Sequence, residues 1–213
     1  KVKSSLGTKT YSLDLQYLTK FVKLQKLELR NIKLTKNEIV DLKKLYTLSA
    51  SHCTYEKNVL TDIANADNLR FLDLSYTSLN DEGVACLTKL KNLRVLNLNN
   101  TKVTSDVVEH LIKLPHLCVI ALQKKNYVGV SDCQTITRQG LEKLTSLQDI
   151  VMLDLKGINI NNEGLSFLKH FKKLSILCLG RNVYQGENIE IQDRGIRNLK
   201  DIQNLKVLDL GLM

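Results

Sequence analysis

An α/β solenoid, with parallel strands along one side and helices along the other, is the fold class this chain predicts. Three observations predict it. A Leu-x-x-Leu-x-Leu segment, or a close copy, comes round eight times. Within each segment the apolar residues alternate with the period of a short strand. The stretch that follows spaces its apolar residues at i, i+3 and i+4, the period of a helix, as in Gly83-Val-Ala-Cys-Leu87-Thr-Lys-Leu90. A unit of this length cannot bury its apolar face alone, so it must stack on its neighbours.

Taken in order, the units begin at Leu24, Leu45, Leu69, Leu93, Leu117, Ile150, Leu174 and Leu205, with steps of 21, 24, 24, 24, 33, 24 and 31 residues. Residues 1–23 hold one N-terminal helical half-unit, Leu13 to Phe21, without a convincing strand of its own. The second unit is short, and Leu42, Leu45 and Leu48 serve either the outgoing helix or the incoming strand. The third and fourth units are the clearest, Leu69-Arg-Phe-Leu72-Asp-Leu74 and Leu93-Arg-Val-Leu96-Asn-Leu98, with Thr77 and Thr101 at their turns. The fifth and seventh carry insertions, near 124–136 and 183–190, both after the strand and before the helix. One normal unit separates them, so their roots should lie roughly 10 Å apart on one edge.

Helix starts are marked by Asn80-Asp81, Ser105-Asp106, Asn161-Asn162 and Gln192-Asp193, which sit where N-caps and acidic first-turn residues belong. Single glycines at 83, 140, 164 and 195 open the helical halves, where close helix–strand packing would explain them. The last unit stops just after its strand. No polar cap is visible there, so a longer parent protein or a protecting partner is expected, with association through this open end.

The strand segments L-x-x-L-x-L-x-x-[T/C/N]-x-[L/V/I], followed by an x-D-E-G-[V/L]-x-x-L-x-x-L half, resemble the leucine-rich-repeat family over about residue 13 to the end. The 24-residue unit with Thr at the turn is most similar to the cysteine-containing and bacterial threonine-type variants. The resemblance implies one domain over 1–213, a right-handed horseshoe of about eight units, with strands on the concave face and helices on the convex face.

Composition narrows the class further. The 213 residues are 43% hydrophobic with a single proline, which excludes a disordered chain. No run approaches the roughly 18 apolar residues of a membrane helix, and no signal peptide opens the chain. The chain also begins without Met. Five cysteines, 53, 86, 118, 133 and 178, form no C-x-x-C pair, which fits reduced thiols and a cytoplasmic protein, among them a bacterial effector delivered to a host cell. The sequon Asn99-Asn100-Thr101 falls in a repeat turn and is read as chance.

Candidate function lies on the concave face. One strand column reads Glu28, Ser49, Asp73, Asn97, Ala121, Asp154, Cys178, Asp209. Its neighbour reads Lys26, Thr47, Phe71, Val95, Val119, Met152, Ile176, Val207, with six apolar residues in succession. The partner-binding candidates are therefore Phe71, Asp73, Tyr76, Val95, Asn97, Val119, Met152, Asp154, Lys156 and Arg181, joined by Tyr127 and Tyr184 in the insertions, since long loops on a rigid scaffold often carry recognition.

The formal charge of +9 raises a rival reading, a basic-surface binder of nucleic acid or an acidic partner. Most lysines fall in helical halves and connections, and Asp73, Asp154 and Asp209 on the strands would repel phosphate. His52, His110, His116 and His170 occupy different repeat positions, and no metal-ligand spacing or phosphate-binding glycine loop is present. The expectation is a non-enzymatic protein-binding module without cofactor or metal, inside an effector, a scaffold or the substrate-receptor part of a ubiquitin-ligase-like assembly.

Overall fold

The structure is a computed structural model, and it describes residues 11–12, 18, 20–35, 42–124, 136–158, 160, 162–180 and 193–211. Its strands are β1 (Tyr11–Ser12), β2 (Lys26–Arg30), β3 (Ile32–Leu34), β4 (Thr47–Ser51), β5 (Thr54–Tyr55), β6 (Phe71–Asp73), β7 (Val95–Asn97), β8 (Val119–Ala121), β9 (Met152–Asp154), β10 (Ile176–Cys178) and β11 (Val207–Asp209). The helices are α1 (Lys57–Ala64), α2 (Asp81–Leu87), α3 (Val108–Leu111), α4 (Arg138–Leu144), α5 (Asn162–Leu165) and α6 (Asp193–Leu199).

Eight strands form one sheet in the order β11-β10-β9-β8-β7-β6-β4-β2, and every pairing in it is parallel. Parallel pairing follows from the repeat, because each strand is reached only after the chain has crossed back along the helical side. Register is continuous: Lys26, Thr47, Phe71, Val95, Val119, Met152, Ile176 and Val207 are lateral partners from one end of the sheet to the other. The short second unit is thereby resolved. Leu45 is its starting leucine, and Leu42 is the buried residue of a 3-10 turn, Leu42–Lys44.

A smaller parallel sheet, β1-β3-β5, runs beside the first turns. It corrects the expectation of a strandless N-terminus, since Tyr11 and Ser12 pair with Ile32 and Lys33. Most of the expected first helix, residues 13–17 and 19, lies outside the described residues.

The leucines of the repeat make one continuous core. Leu69, Leu72, Leu74, Leu93, Leu96 and Leu98 are fully buried, and the helix leucines Leu87, Leu111, Leu144 and Leu168 close on them from behind. Side chains that can donate seal the turns. Thr77 and Thr101 are buried and donate to the carbonyls of Leu74 and Leu98 at 2.7 and 2.8 Å, which satisfies polar groups the stacking takes from water. Asn68, Asn92 and Asn204 tie neighbouring repeats together at the exposed rim, donating to the carbonyls of Lys43, Asp67 and Lys172.

The helical side is more broken than expected. Among the described residues only α1, α2, α4 and α6 reach seven or eight residues, α3 is preceded by a 3-10 turn (Ser105–Val107), and α5 runs into another (Ser166–His170). Asn80 is an N-cap, accepting from the Gly83 amide at 3.1 Å. The next cap is Thr104 rather than Ser105, because Thr104 also bonds the neighbouring Asp81 carboxylate through its amide and hydroxyl. Thr137 caps α4, and Asn161 and Gln192 lie outside the described residues.

The helix glycines serve a different contact from the one expected. A Cβ on Gly83 would stand 2.5 Å from Leu79 Cδ1 and 3.0 Å from Leu60 Cδ1 of α1, and one on Gly195 would strike Asn162 and Leu165 of α5. These glycines let adjoining helices approach, more than they fit a helix against its strand.

Candidate functional site

The strand face presents the two columns in register. Phe71, Val95, Val119, Met152 and Ile176 are each half-buried, and Val207 at the end is exposed. Each is shielded laterally by its strand neighbours while its outer surface stays in water. Adjacent strands lie about 4.8 Å apart, so six such residues make a strip roughly 24 Å long.

The second column is engaged with its own backbone. Asp73, Asn97, Asp154 and Asp209 each turn a side-chain oxygen onto the amide two residues on, at Ser75, Asn99, Lys156 and Gly211, at 2.8–3.1 Å. These Asx turns steer the chain out of the strand. Asp73 also accepts from the Ser49 hydroxyl at 3.1 Å. Three residues singled out as partner contacts, Asp73, Asn97 and Asp154, thus spend an oxygen on the turn and offer a partner only the remainder.

Electrostatics divide the same column. Burial pushes the Asp154 carboxyl above the ordinary carboxylate value, against the pull of the Lys156 amide and ammonium. Lys156 reaches past β10 to Asp209 of β11 at 2.5 Å, which holds the Asp209 carboxyl low and the lysine high. Gly180 leaves room for this reach, since a Cβ there would stand 3.1 Å from Lys156 Cγ and 2.5 Å from the Gly211 carbonyl. Cys178, beneath, is a buried thiol raised chiefly by desolvation. Cys118 precedes its strand instead of lying in it, and it donates to the His116 carbonyl at 3.3 Å.

Beyond the strands, one turn position adopts a left-handed backbone in repeat after repeat: Asn31, His52, Tyr76, Asn100 and Gly157 have φ of 56°, 56°, 57°, 55° and 71°. Their geometry keeps the ladder going, since the amides of His52, Tyr76, Asn100 and Gly157 donate to the next repeat at Ser75, Asn99, Gln123 and Gly180. Tyr76 therefore does not project alone. Its ring stacks on His52, with centroids 4.2 Å apart and 8° between planes, and Arg30 Nη2 lies 3.4 Å from His52 Nε2. Asn99, the sequon asparagine, accepts from the Gln123 amide.

Of the predicted contacts, the structure brings Phe71, Val95, Val119 and Met152 into one strip, and sets Tyr76 and Lys156 beyond the strands. Arg181, Tyr127, Tyr184 and Cys133 lie outside the described residues. Arg30 and His52 were missed, although His52, seven residues after the first leucine of its unit, could have been aligned with Tyr76; Arg30 stands one place earlier in its unit. Also missed was Tyr46, an exposed ring on the opposite rim with the Arg70 guanidinium 5.2 Å from its centroid.

The helical side carries paired charge: Lys143 with Glu109, Arg138 with Glu163 at 3.2 Å, and Lys173 with Asp149 at 2.6 Å. Among the described residues no group of three or more His, Cys, Asp or Glu is placed to hold a metal ion, and no helix is long and apolar enough to cross a membrane.

No protein-family model matches the chain. Among solved structures it is similar to internalin C2 (InlC2) of Listeria monocytogenes, with a TM-score of 0.63 and 24% identity over 88% of this chain and 71% of that one. It is also similar to an internalin, InlF, of the same organism, with a TM-score of 0.51 and 18% identity over 91% of this chain and 63% of that one. At these identities the likeness is one of fold, an α/β leucine-rich-repeat solenoid of parallel strands backed by helices.

Proposed function

We propose that this chain is a non-enzymatic protein-interaction module that binds a partner protein through the apolar strip on its strand face. The observation that carries the reading is the unbroken lateral register of Phe71, Val95, Val119, Met152, Ile176 and Val207, all partly exposed on one rigid sheet. A contiguous apolar patch flanked by polar groups is the anatomy of a recognition surface. Because the strip is preformed, little ordering cost opposes binding. The fold shared with two listerial internalins supports a protein-binding module in general.

The finer reading is a curved, right-handed solenoid of 24-residue threonine-type units, with the strip on the concave side and the insertion edge adding contacts through Tyr127, Tyr184 and Arg181. The buried Thr77 and Thr101 hydroxyls support the repeat type. An effector or scaffold role for the parent protein is in keeping with it.

The test is affinity capture from lysate with the wild type against the Phe71→Ala/Met152→Ala double variant, both checked by circular dichroism. Proteins recovered by the wild type and lost by the folded double variant are the expected result. Equal recovery by both would remove the strip from the account.

A further inference from the structure

The left-handed turn position is filled by Asn31, Asn100 and Gly157 in three repeats, residue types that tolerate positive φ. In two adjacent repeats it is filled by His52 and Tyr76; histidine is found in this region more often than most side chains, whereas the bulky tyrosine is unfavourable there. Strain retained at Tyr76, whose ring lies on His52, points to a use for the side chains. The rings use their faces on each other, at 4.2 Å and nearly parallel, so their polar edges remain for solvent.

Arg30 extends the row. Its guanidinium can only donate, so the Nε2 it approaches at 3.4 Å acts as the acceptor and the neutral imidazole carries its proton on Nδ1. Arg30 is exposed, and among the described residues no carboxylate lies within ion-pairing distance of it. The acids beside the row are already engaged: Asp73 accepts from Ser49 and the Ser75 amide, and Glu28, two residues before Arg30 on β2, pairs with Lys26 at 2.8 Å. The row therefore offers a cation with unspent donors, an imidazole N–H and a phenol, while the acids beside it are taken by Lys26, Ser49 and the Ser75 amide.

We propose that Arg30, His52 and Tyr76 form a recognition edge for an acidic segment of a partner protein, whose carboxylates take the guanidinium and the ring-edge donors. The planar guanidinium suits a carboxylate in a two-point contact. Nucleic acid fits less well, because along this edge the next cations are already engaged, Lys124 by the Thr101 carbonyl and Lys156 by Asp209. The edge is separate from the apolar strip, and it stands or falls without it.

The test uses a fluorescent hexaglutamate peptide, blocked at its C-terminus, and follows its anisotropy at low ionic strength. Arg30→Gln and Tyr76→Asn should each weaken binding at least about fivefold, while Lys89→Gln, an equal loss of charge on the helical side, should change it less than twofold. Tyr76→Asn should melt at or above the wild-type temperature, since asparagine suits the left-handed turn, so lost binding there is not lost folding. Phe71→Ala/Met152→Ala should leave the peptide bound, which separates this edge from the strip. No binding by the wild type, an equal loss in Lys89→Gln, or tighter binding of a six-residue oligothymidylate lost in the same variants would each overturn the proposal.

Discussion

The same Leu-x-Leu pair has opposite fates in the middle of the sheet and at its last strand. Leu72, Leu74 and Leu96 are 0% exposed, whereas Leu208 and Leu210, at the equivalent positions of β11, are 38% and 45% exposed. The residues are alike, and so are their backbone conformation and their partner on one side. What differs, among the described residues, is that the middle strands have a repeat stacked on both sides and β11 has one on a single side. In this fold a leucine becomes core through its neighbours, and the motif alone does not bury it. The charged column shows the same contrast, with Asp154 buried inside the ladder and Asp209 at its end, reached by Lys156.

Substitution can break this comparison most sharply at the leucines. Leu96→Ala should cost about 2–5 kcal/mol, the range for a fully buried leucine, while Leu210→Ala should cost less than about 1 kcal/mol. Urea unfolding followed by circular dichroism measures both, and equal losses would mean the two ends are packed alike.

Glycine gives the next contrast. Gly83→Ala drives a methyl into Leu79 and Leu60 between two helices, whereas Gly211→Ala meets only the movable Asp209 carboxylate, 2.9 Å away. After the gain in helix propensity is set against overpacking, the first should destabilise by about 1–2 kcal/mol. The second should have a smaller effect in the same unfolding measurement.

The smallest effects belong to the two acids, and they have opposite signs. Asp209 has its folded pKa lowered, so it contributes stability above the ordinary carboxylate range that is lost as pH falls through the depressed value. Asp209→Asn should therefore lower the melting temperature at neutral pH, with the difference closing in strong acid. Asp154 has its folded pKa raised, so the folded state holds a proton the unfolded chain has given up, and stability falls as pH rises from the ordinary to the raised value. Asp154→Asn, which keeps the oxygen that bonds Lys156, should raise the melting temperature at neutral pH and leave it unchanged near pH 3. Thermal melts across this pH range read both signs.

Most of the sheet was legible in the residues, because register there is set by one repeated feature. Each unit's first leucine placed its strand two residues later, even across the 33- and 31-residue steps. The strip of Phe71, Val95, Val119 and Met152 was legible for the same reason. What escaped depended on contacts between units. Asp73 and Asn97 read as outward groups until their oxygens were seen on backbone amides. Gly83 read as a strand contact until Leu60 of the neighbouring helix stood beside it. His52 read as a lone histidine because its stacking partner lies a full repeat away, at Tyr76.

The central claim is that the strand face recognises a protein through its apolar strip, and Val119, flanked by Val95 and Met152, sits at its middle. The most direct measurement is the affinity of a captured partner for the wild type and for Val119→Asp, by isothermal titration calorimetry at physiological salt. The account predicts at least a roughly 30-fold loss, about 2 kcal/mol, for a charge placed at the centre of such a patch, in a variant whose circular dichroism spectrum is unchanged. Undiminished affinity in that folded variant would contradict it.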